Sequence, residues 1–293
     1  MIKVLYKDIQ TIGYTIAALI AFAANSVLCR IALKDNAIDA SSFTAIRLLS
    51  GVLMFLILFS FKAKSLTSTS EKKGSSWKTG LMLFIYAITF SFAYVSLDTG
   101  TGALVLFGAV QLTMIITSIV MGNKLHVSEW LGVVISFLGL AYLVYPTLTT
   151  PSLSGFILMG LSGIAWGIYT LAGRGSVDPM RDTACNFKYT VPLVLCLILI
   201  TFPMINISFD GAILAVISGA FASALGYTIW YVALGGLSET EAAVVQLSVP
   251  VIAAIGGVLF VSEAISMRLV IACILVLGGI LTVLIGRWKF ANK

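Results

Sequence analysis

The sequence predicts an all-α integral membrane protein of ten transmembrane helices, built from two related five-helix halves. Three observations predict this fold class. Hydrophobic residues make up 59% of the 293 residues and charged residues only 10%, whereas a soluble domain of this size carries about 25% charged residues. The mean hydropathy is +1.06. Apolar runs of the length that crosses a bilayer also recur from one end of the chain to the other.

Polar breaks divide the chain into ten apolar runs. The first run lacks a small-residue cleavage pattern and is too long for a signal peptide, so we expect a retained helix. Several breaks are so short that consecutive helices should be antiparallel neighbours. The predicted spans are 11–33, 40–61, 78–97, 102–121, 128–145, 153–173, 183–203, 211–234, 241–261 and 267–286.

The basic residues predict the orientation in the membrane, because cytoplasmic loops carry an excess of Lys and Arg. With the N-terminus inside, 14 of the 18 basic residues fall on the cytoplasmic side, and only Arg30, Lys34, Arg47 and Arg268 fall outside. We therefore expect a multi-pass protein of the cell's inner (plasma) membrane with both termini in the cytoplasm. The net charge of +6 then indicates contact with membrane lipid and not with nucleic acid.

The second half of the chain repeats the first half in the same order. The matching segments are AFAANSVLCR (21–30) with AWGIYTLAGR (165–174), FTAIRLL (43–49) with CNFKYTV (185–191), and ISFLGLAYLV (135–144) with LVLGGILTVL (275–284). The second pair matches with a one-residue slip. When 45–47 is placed over 186–188, Arg47 and Lys188 occupy equivalent positions. Because five spans is an odd number, the second copy must enter the membrane from the opposite face. The sequence thus predicts inverted repeats over 1–147 and 148–293, as in secondary transporters whose substrate site lies between repeats.

This pattern resembles the drug/metabolite transporter superfamily, in the branch made of two EamA-type repeats. The residues that carry the resemblance are AWGIYTLAGR (165–174) and the segment 231–266, where a proline-bearing ninth helix precedes Glu263. The first half has a counterpart over 94–132, and the resemblance covers essentially the whole chain. It implies the ten-helix fold and, for some members, export of amino acids and related metabolites.

The first repeat departs from the family pattern at three places. Positions 22–23 are Phe–Ala where the family usually has Trp–Gly. Val110 stands where the second copy has Pro250, and Asn123 stands where it has Glu263. These departures leave the fold expectation intact but weaken the transfer of residue roles to the first repeat.

Aromatic and polar side chains within the spans mark a candidate substrate cavity, because a polar group in lipid must find a partner or line a wet space. Tyr86, Phe90 and Tyr94 recur every four residues and share one helix face. An aromatic wall with a few amide and hydroxyl groups is a usual composition for a small-molecule pocket. The candidate cavity residues are Asn25, Tyr86, Phe90, Tyr94, Gln111, Trp166, Tyr169, Tyr227, Trp230, Tyr231 and Gln246.

Other roles stay open for these residues. Tyr and Trp also form belts at the membrane interface, and Gln111 and Gln246 could be hydrogen-bonding glue between helices. Pro250 lies within the ninth predicted span, where it is either a hinge for gating or a static kink.

The charged candidates also have two interpretations. Arg47 and Lys188 either snorkel to the lipid headgroups or draw a substrate carboxylate toward the cavity or close a gate. Arg30 and Arg174, at helix ends, are expected to be anchors. All twelve acidic residues lie in loops or near span ends, whereas a proton antiporter for cationic drugs should carry a carboxylate in mid-span.

The expected function is a secondary transporter that exports amino acids or related zwitterions by alternating access. One alternative is an exporter of multiple drugs or quaternary cations, and another is a non-transporting membrane scaffold or accessory subunit. No zinc-helix, P-loop or nucleophile-elbow motif occurs, so we expect no catalytic residue, metal site or cofactor. The expected partners are a small-molecule substrate and lipid, and the oligomeric state stays open, a homodimer included.

Overall fold

The protein is all-helical over the residues that its computed structural model describes. These are residues 2–61, 75–120, 122, 127–145, 152–174, 176–237, 242 and 245–290. Among these residues, β-type pairing is limited to one isolated antiparallel bridge between Ile38 and Ile207. The predicted boundary between the halves, at 147–148, lies outside the described residues.

Most helices follow the predicted apolar runs, but α1 begins nine residues earlier and α9 seven residues later than predicted. Their bounds are α1 Ile2–Lys34, α2 Ala40–Phe61, α3 Trp77–Tyr94, α4 Thr99–Val120, α5 Val127–Val144, α6 Leu153–Gly173, α7 Pro179–Thr201, α8 Phe209–Leu234, α9 Ser248–Val261 and α10 Met267–Phe290. Within the described residues, six of them are long and apolar enough to cross a membrane: α1, α2, α4, α6, α7 and α8. Trp130–Leu143, Ser248–Val261 and Met267–Val283 are shorter apolar stretches. The count of ten spans therefore stays a prediction.

Local chemistry fixes several helix starts. Ser76 caps α3 through a reciprocal capping box with Thr79, which satisfies two backbone donors that the helix itself cannot. Asp178 caps α7, and Pro179 occupies its first position, where the missing N–H costs nothing. The helix α7 therefore begins four residues before the span predicted from hydropathy alone.

The ninth predicted span is interrupted by one turn residue shortly before Pro250. Residues 245 and 246 are helical, Leu247 is a turn, and α9 begins at Ser248. Proline has no N–H to donate to the carbonyl of Gln246 and its ring crowds that carbonyl, so the preceding turn cannot continue. Pro250 therefore lies in the first turn of α9, and its role as a hinge or as a static kink stays a prediction.

The helix α8 contains a π-helical turn over Ser218–Leu225. Such turns are rare, and where they occur they often mark functional sites. Gly219 in this turn lies directly against the carbonyl oxygen of Arg47 on α2. A side chain at Gly219 could not fit there, so the glycine permits the close approach of α8 to α2.

The two halves interleave through their first helices. The helix α1 packs against α8 and α9, and α6 correspondingly packs against α3 and α4. The contact of α2 with α8 likewise has its counterpart in the contact of α7 with α3. The pairs α2–α7, α4–α9 and α5–α10 each join equivalent helices. Each of these helices therefore packs against helices of the other half that are the equivalents of those its own repeat equivalent packs against. A twofold relation between the halves produces this contact pattern.

Small residues bring α5 and α10 into close contact. Ser136 donates a hydrogen bond to the Val276 carbonyl at 3.2 Å, and Gly132 and Gly139 face Gly279 and Val276 across the helix pair. Backbones approach closely where glycine replaces larger side chains. Gly278, one residue before Gly279, has nothing within 4 Å of its side-chain position.

Candidate functional site

Nine aromatic side chains form one buried group where helices of both halves meet. We call it the aromatic cluster: Phe22, Tyr86, Phe90, Tyr94, Trp166, Tyr169, Tyr227, Trp230 and Tyr231. Each is at most 5% exposed. Eight of the nine are predicted cavity residues, and the structure brings all eight together.

The rings of the aromatic cluster pack directly against one another. The ring centroids of Trp166 and Tyr227 lie 4.6 Å apart, and those of Trp166 and Tyr86 lie 4.8 Å apart. Phe22 contacts Trp166 and Trp230 at 5.6 Å each, in edge-on geometry. Centroid separations of 4.5–7 Å are typical of stabilising aromatic pairs. In this conformation the rings of the predicted aromatic wall therefore contact one another and leave no open cavity between the pairs in contact.

Arg47 lies inside the protein beside the aromatic cluster, only 1% exposed. Its position is about 10 Å along α2 from Ala40. Its Nη2 donates to the hydroxyl oxygens of Tyr227 at 2.7 Å and Tyr86 at 3.1 Å. Its guanidinium also lies over the rings of Phe90 and Tyr86, at 4.9 and 5.2 Å from the centroids. Arg47 does not snorkel to the membrane surface.

The π-helical turn of α8 supplies two hydroxyls to this site. Ser223 accepts a hydrogen bond from Arg47 Nε at 3.0 Å. Ser218 donates to Asn25 Oδ1 at 2.5 Å, and Asn25 Nδ2 in turn donates to the Tyr86 hydroxyl at 3.2 Å. One continuous hydrogen-bonded group thus joins α1, α2, α3 and α8. We call it the Arg47 network: Asn25, Arg47, Tyr86, Ser218, Ser223 and Tyr227.

Lys188 takes a different position from its repeat counterpart Arg47. Its side chain is exposed on the outer surface of α7, whereas the neighbouring Asn186 and Phe187 are fully buried. Asn186 accepts a hydrogen bond from Thr79 at 2.6 Å and donates to the Tyr169 hydroxyl at 3.4 Å. The structure therefore separates the two basic residues that the repeat makes equivalent.

The two predicted amide residues, Gln111 and Gln246, are both buried. Gln111 on α4 is 2% exposed and Gln246 is fully buried. Gln246 donates to the Ala242 carbonyl at 3.0 Å, and its Oε1 has no hydrogen-bond partner within the described part of the chain. No hydrogen bond between either amide and the network is present among the described residues, so their cavity role stays a prediction.

A second charged group closes the end of the bundle where α1, α3 and α9 finish. Arg30 Nε donates to Glu263 Oε1 at 3.0 Å, and Nη2 to Asp98 Oδ1 at 3.3 Å. Arg30 Nη1 donates to the carbonyls of Tyr94 and Val95. We call Arg30, Asp98 and Glu263 the ion cluster. The expectation that Arg30 is a surface anchor is wrong, because its side chain is only 11% exposed.

Glu263 also caps a helix of the other half. Its Oε2 accepts a hydrogen bond from the Thr99 backbone N–H, the first residue of α4, at 2.9 Å. A carboxylate is favourable there because helix N-termini carry partial positive charge. The left-handed backbone of Ser262, with φ of 56°, turns the chain out of α9 so that Glu263 reaches this position. The ion cluster therefore ties the second half to the first.

Three contributors to these sites were missed by the sequence interpretation. Phe22 stands at the centre of the aromatic cluster, and its repeat equivalence to Trp166 was the available signal. Ser223 and Ser218 gave no signal, since small hydroxyl residues are common in membrane helices for packing alone. Their role depends on the π-helical turn, which hydropathy does not indicate.

Comparison with known proteins agrees with the two-half architecture. A family model described as the EamA-like transporter family matches residues 10–145 and again residues 153–285. The two matches together cover most of the chain, with one copy in each half.

Several relatives match over most of their length. An uncharacterized protein of Pseudomonas aeruginosa is 45% identical over 280 residues, which is 96% of both chains. An uncharacterized transporter of Archaeoglobus fulgidus is 25% identical over 67% of this chain and 71% of its own. The uncharacterized transporter YoaV of Bacillus subtilis is 20% identical over 81% of this chain and 85% of its own.

A solved crystal structure also shares the fold. It superposes with a TM-score of 0.61 over 92% of this chain and 98% of its own, at 18% sequence identity. At that identity the likeness concerns the fold alone.

Proposed function

The chain belongs to the EamA-like transporter family, and from that premise we propose that it is a secondary transporter that exports amino acids or related zwitterions by alternating access. The observation that carries this proposal is the Arg47 network and its aromatic cluster. They are buried between helices of both halves, where inverted-repeat transporters bind their substrates. The combination of ring faces, hydroxyls and one charge is suited to a small molecule with a polar end and an apolar end.

We further propose the topology that this function requires. Ten spans form two inverted repeats, over 1–147 and 148–293, in the inner (plasma) membrane with both termini in the cytoplasm. Support comes from the basic residues, of which 14 of 18 fall on one side, and from the exchange of helix partners between halves. Two related halves can adopt each other's conformations, so inward-open and outward-open states have similar energies.

The direct test is counterflow into liposomes that contain the purified protein and are preloaded with unlabelled amino acids. Accumulation of labelled amino acid supports the proposal. A strict need for an imposed pH gradient would show that the transport is coupled to protons. Flux of a quaternary ammonium dye without amino-acid flux would favour a multidrug exporter. Inert liposomes holding demonstrably folded protein would favour a scaffold or accessory subunit.

Replacing Trp166 with Ala should reduce the counterflow rate about tenfold or more, a change of about 1.4 kcal/mol in barrier height. Trp166 contacts Tyr86, Tyr227 and Phe22 at once, so its loss removes the wall that the substrate would contact. Trp130→Ala is the matched control, because Trp130 on α5 is 54% exposed whereas the rings of the aromatic cluster are buried. Equal rates for the two variants would remove Trp166 from the site.

A further inference from the structure

Arg47 is a buried cation whose contacts within the described part of the chain are all with neutral groups. Its guanidinium is held by three hydroxyl oxygens, those of Ser223, Tyr86 and Tyr227. The ion pairs among the described residues are those of Arg30 with Asp98 and Glu263, and neither involves Arg47. A buried charge that lacks an opposite charge is strongly unfavourable, because hydroxyls and ring faces offset only part of the lost hydration.

One nitrogen of the guanidinium has no hydrogen-bond partner among the residues that the structure describes. Nε and Nη2 are both engaged, whereas Nη1 is fully buried and makes no hydrogen bond to that part of the chain. Charged side chains within membrane spans are rare and usually mark a substrate or ion pathway. The position of Nη1 is well defined, since Ser223 and Tyr227 hold the other two nitrogens from α8.

The surroundings of Arg47 have more hydrogen-bond donors than acceptors. The Tyr86 hydroxyl oxygen is approached by Arg47 Nη2, Asn25 Nδ2 and the Tyr227 hydroxyl, at 3.1 to 3.2 Å. A hydroxyl oxygen has only two lone pairs. The two phenols bond to each other, so one phenolic proton has no acceptor among the described hydrogen bonds. A free guanidinium N–H and a free phenolic O–H together complement an anion.

We infer that the substrate's carboxylate is the counter-ion of Arg47, received at Nη1 with a phenolic hydroxyl of Tyr86 or Tyr227 as the second donor. This inference rests on the proposed function and narrows its substrate class. The site takes small monocarboxylates, zwitterionic or anionic, and rejects amines that lack a carboxylate. The apolar part of the ligand then contacts the aromatic cluster, whose rings must part to admit it.

Two sets of ligands test this selectivity. Within each set the ligands share one side chain and differ in whether they carry a carboxylate, an ammonium group or both. The first set is L-leucine, 4-methylpentanoate and 3-methylbutylamine; the second is L-phenylalanine, 3-phenylpropanoate and 2-phenylethylamine. Binding is measured as the rise in unfolding temperature of the purified protein in detergent, which avoids leakage of neutral species across a bilayer. The carboxylates of at least one set should bind, and the amine should not. Binding of the amine as tight as that of the acid, or binding of neither set of acids, overturns the inference.

Variants of Arg47 assign the effect to this residue. Arg47→Gln should weaken carboxylate binding at least tenfold, and Arg47→Lys should keep the preference for acids at lower affinity. Lys188→Gln is the matched control, because it makes the same charge change at the equivalent repeat position on an exposed surface, and it should bind as the parent protein does. Unchanged carboxylate binding in Arg47→Gln contradicts the inference.

Three readouts keep the outcomes distinct. A purely structural role for Arg47 predicts a lower unfolding temperature without ligand, whereas the binding role predicts loss of the ligand-induced rise. Should Arg47→Gln fail to fold, amine binding by Arg47→Lys still overturns the inference. Counterflow of L-leucine and L-phenylalanine in liposomes is measured separately. Flux that persists in Arg47→Gln contradicts the inference about Arg47 but leaves the proposed function standing. Absence of all flux in the parent protein contradicts the proposed function.

Discussion

Arg47 and Lys188 show how one repeat position can acquire two roles. The sequence predicts their equivalence and similar depth, but it does not predict which of the two faces the interior. That difference depends on neighbours across the bundle. Arg47 meets the π-helical turn of α8, where Gly219 allows close approach and Ser223 accepts a hydrogen bond. On α7, the buried positions are Asn186 and Phe187 instead, and Lys188 is directed outward.

At the residue scale, the loop carboxylate Asp39 should make the folded protein sensitive to acid. Partial burial alone would raise the pKa of Asp39, but hydrogen bonds from Ser42 and the Asn206 backbone outweigh it and lower the pKa below 3.8. A carboxyl whose pKa is lower in the folded state stabilises that state above the unfolded pKa. The contribution is lost as the pH falls through the folded pKa.

Unfolding temperatures in detergent between pH 5 and pH 3 measure this effect. The parent protein should lose more stability over that interval than Asp39→Asn, which cannot ionise. Asp210→Asn, in the first turn of α8, controls for a general change of charge on the same side of the bundle. Parallel pH profiles for the parent protein and Asp39→Asn would show that the carboxylate of Asp39 does not stabilise the loop.

At the scale of elements, the α5–α10 contact depends on individual glycines, and two neighbouring ones give opposite expectations. A methyl group at Gly279 would lie 2.6 Å from the Gly132 carbonyl oxygen and 2.7 Å from the Ser136 nitrogen. Such overpacking against backbone should cost about 1–3 kcal/mol. Gly279→Ala should therefore lower the unfolding temperature.

Gly278→Ala is the matched control for this prediction. Nothing lies within 4 Å of its side-chain position, and alanine favours the helix by about 1 kcal/mol over glycine. Its unfolding temperature should stay the same or rise. If Gly279→Ala is no less stable than Gly278→Ala, then α5 and α10 are less closely packed than the structure indicates.

Periodicity and hydropathy predict where helices begin and end better than they predict which side chains meet between helices. The apolar runs mark α2 and α6 within one residue, because long apolar helices end where polar loops begin. The π-helical turn in α8 and the break before α9 are not visible in hydropathy, since both keep their apolar composition. Eight members of the aromatic cluster follow from their depth and spacing, whereas Phe22 and Ser223 depend on contacts between distant helices.

At the scale of the whole molecule, the ion cluster is a charged contact that joins the two halves. Glu263 pairs with Arg30 and caps α4, and its side chain is 9% exposed. Removing one member of a buried ion pair typically costs about 3–5 kcal/mol, because the other charge is left unpaired. Glu263→Gln should lower the unfolding temperature markedly.

Asp98→Asn provides the comparison for Glu263→Gln within the same cluster. Asp98 also pairs with Arg30, but its side chain is 62% exposed, so solvent screens the interaction and about 0–1 kcal/mol is expected. Chemical denaturation in mixed micelles compares the two variants. Equal losses of stability would mean that Glu263 is not the main partner of Arg30.

The exchange of first helices between halves has a consequence for how the chain is made. When the first five helices have left the ribosome, α1 still lacks α8 and α9, and the surface of α3 and α4 that receives α6 is uncovered. Gly163 of α6 packs against the Leu106 carbonyl and Ala109 of α4, a contact that no earlier helix supplies. The packing of the first five helices therefore stays incomplete in the membrane until the helices of the second half have been synthesised.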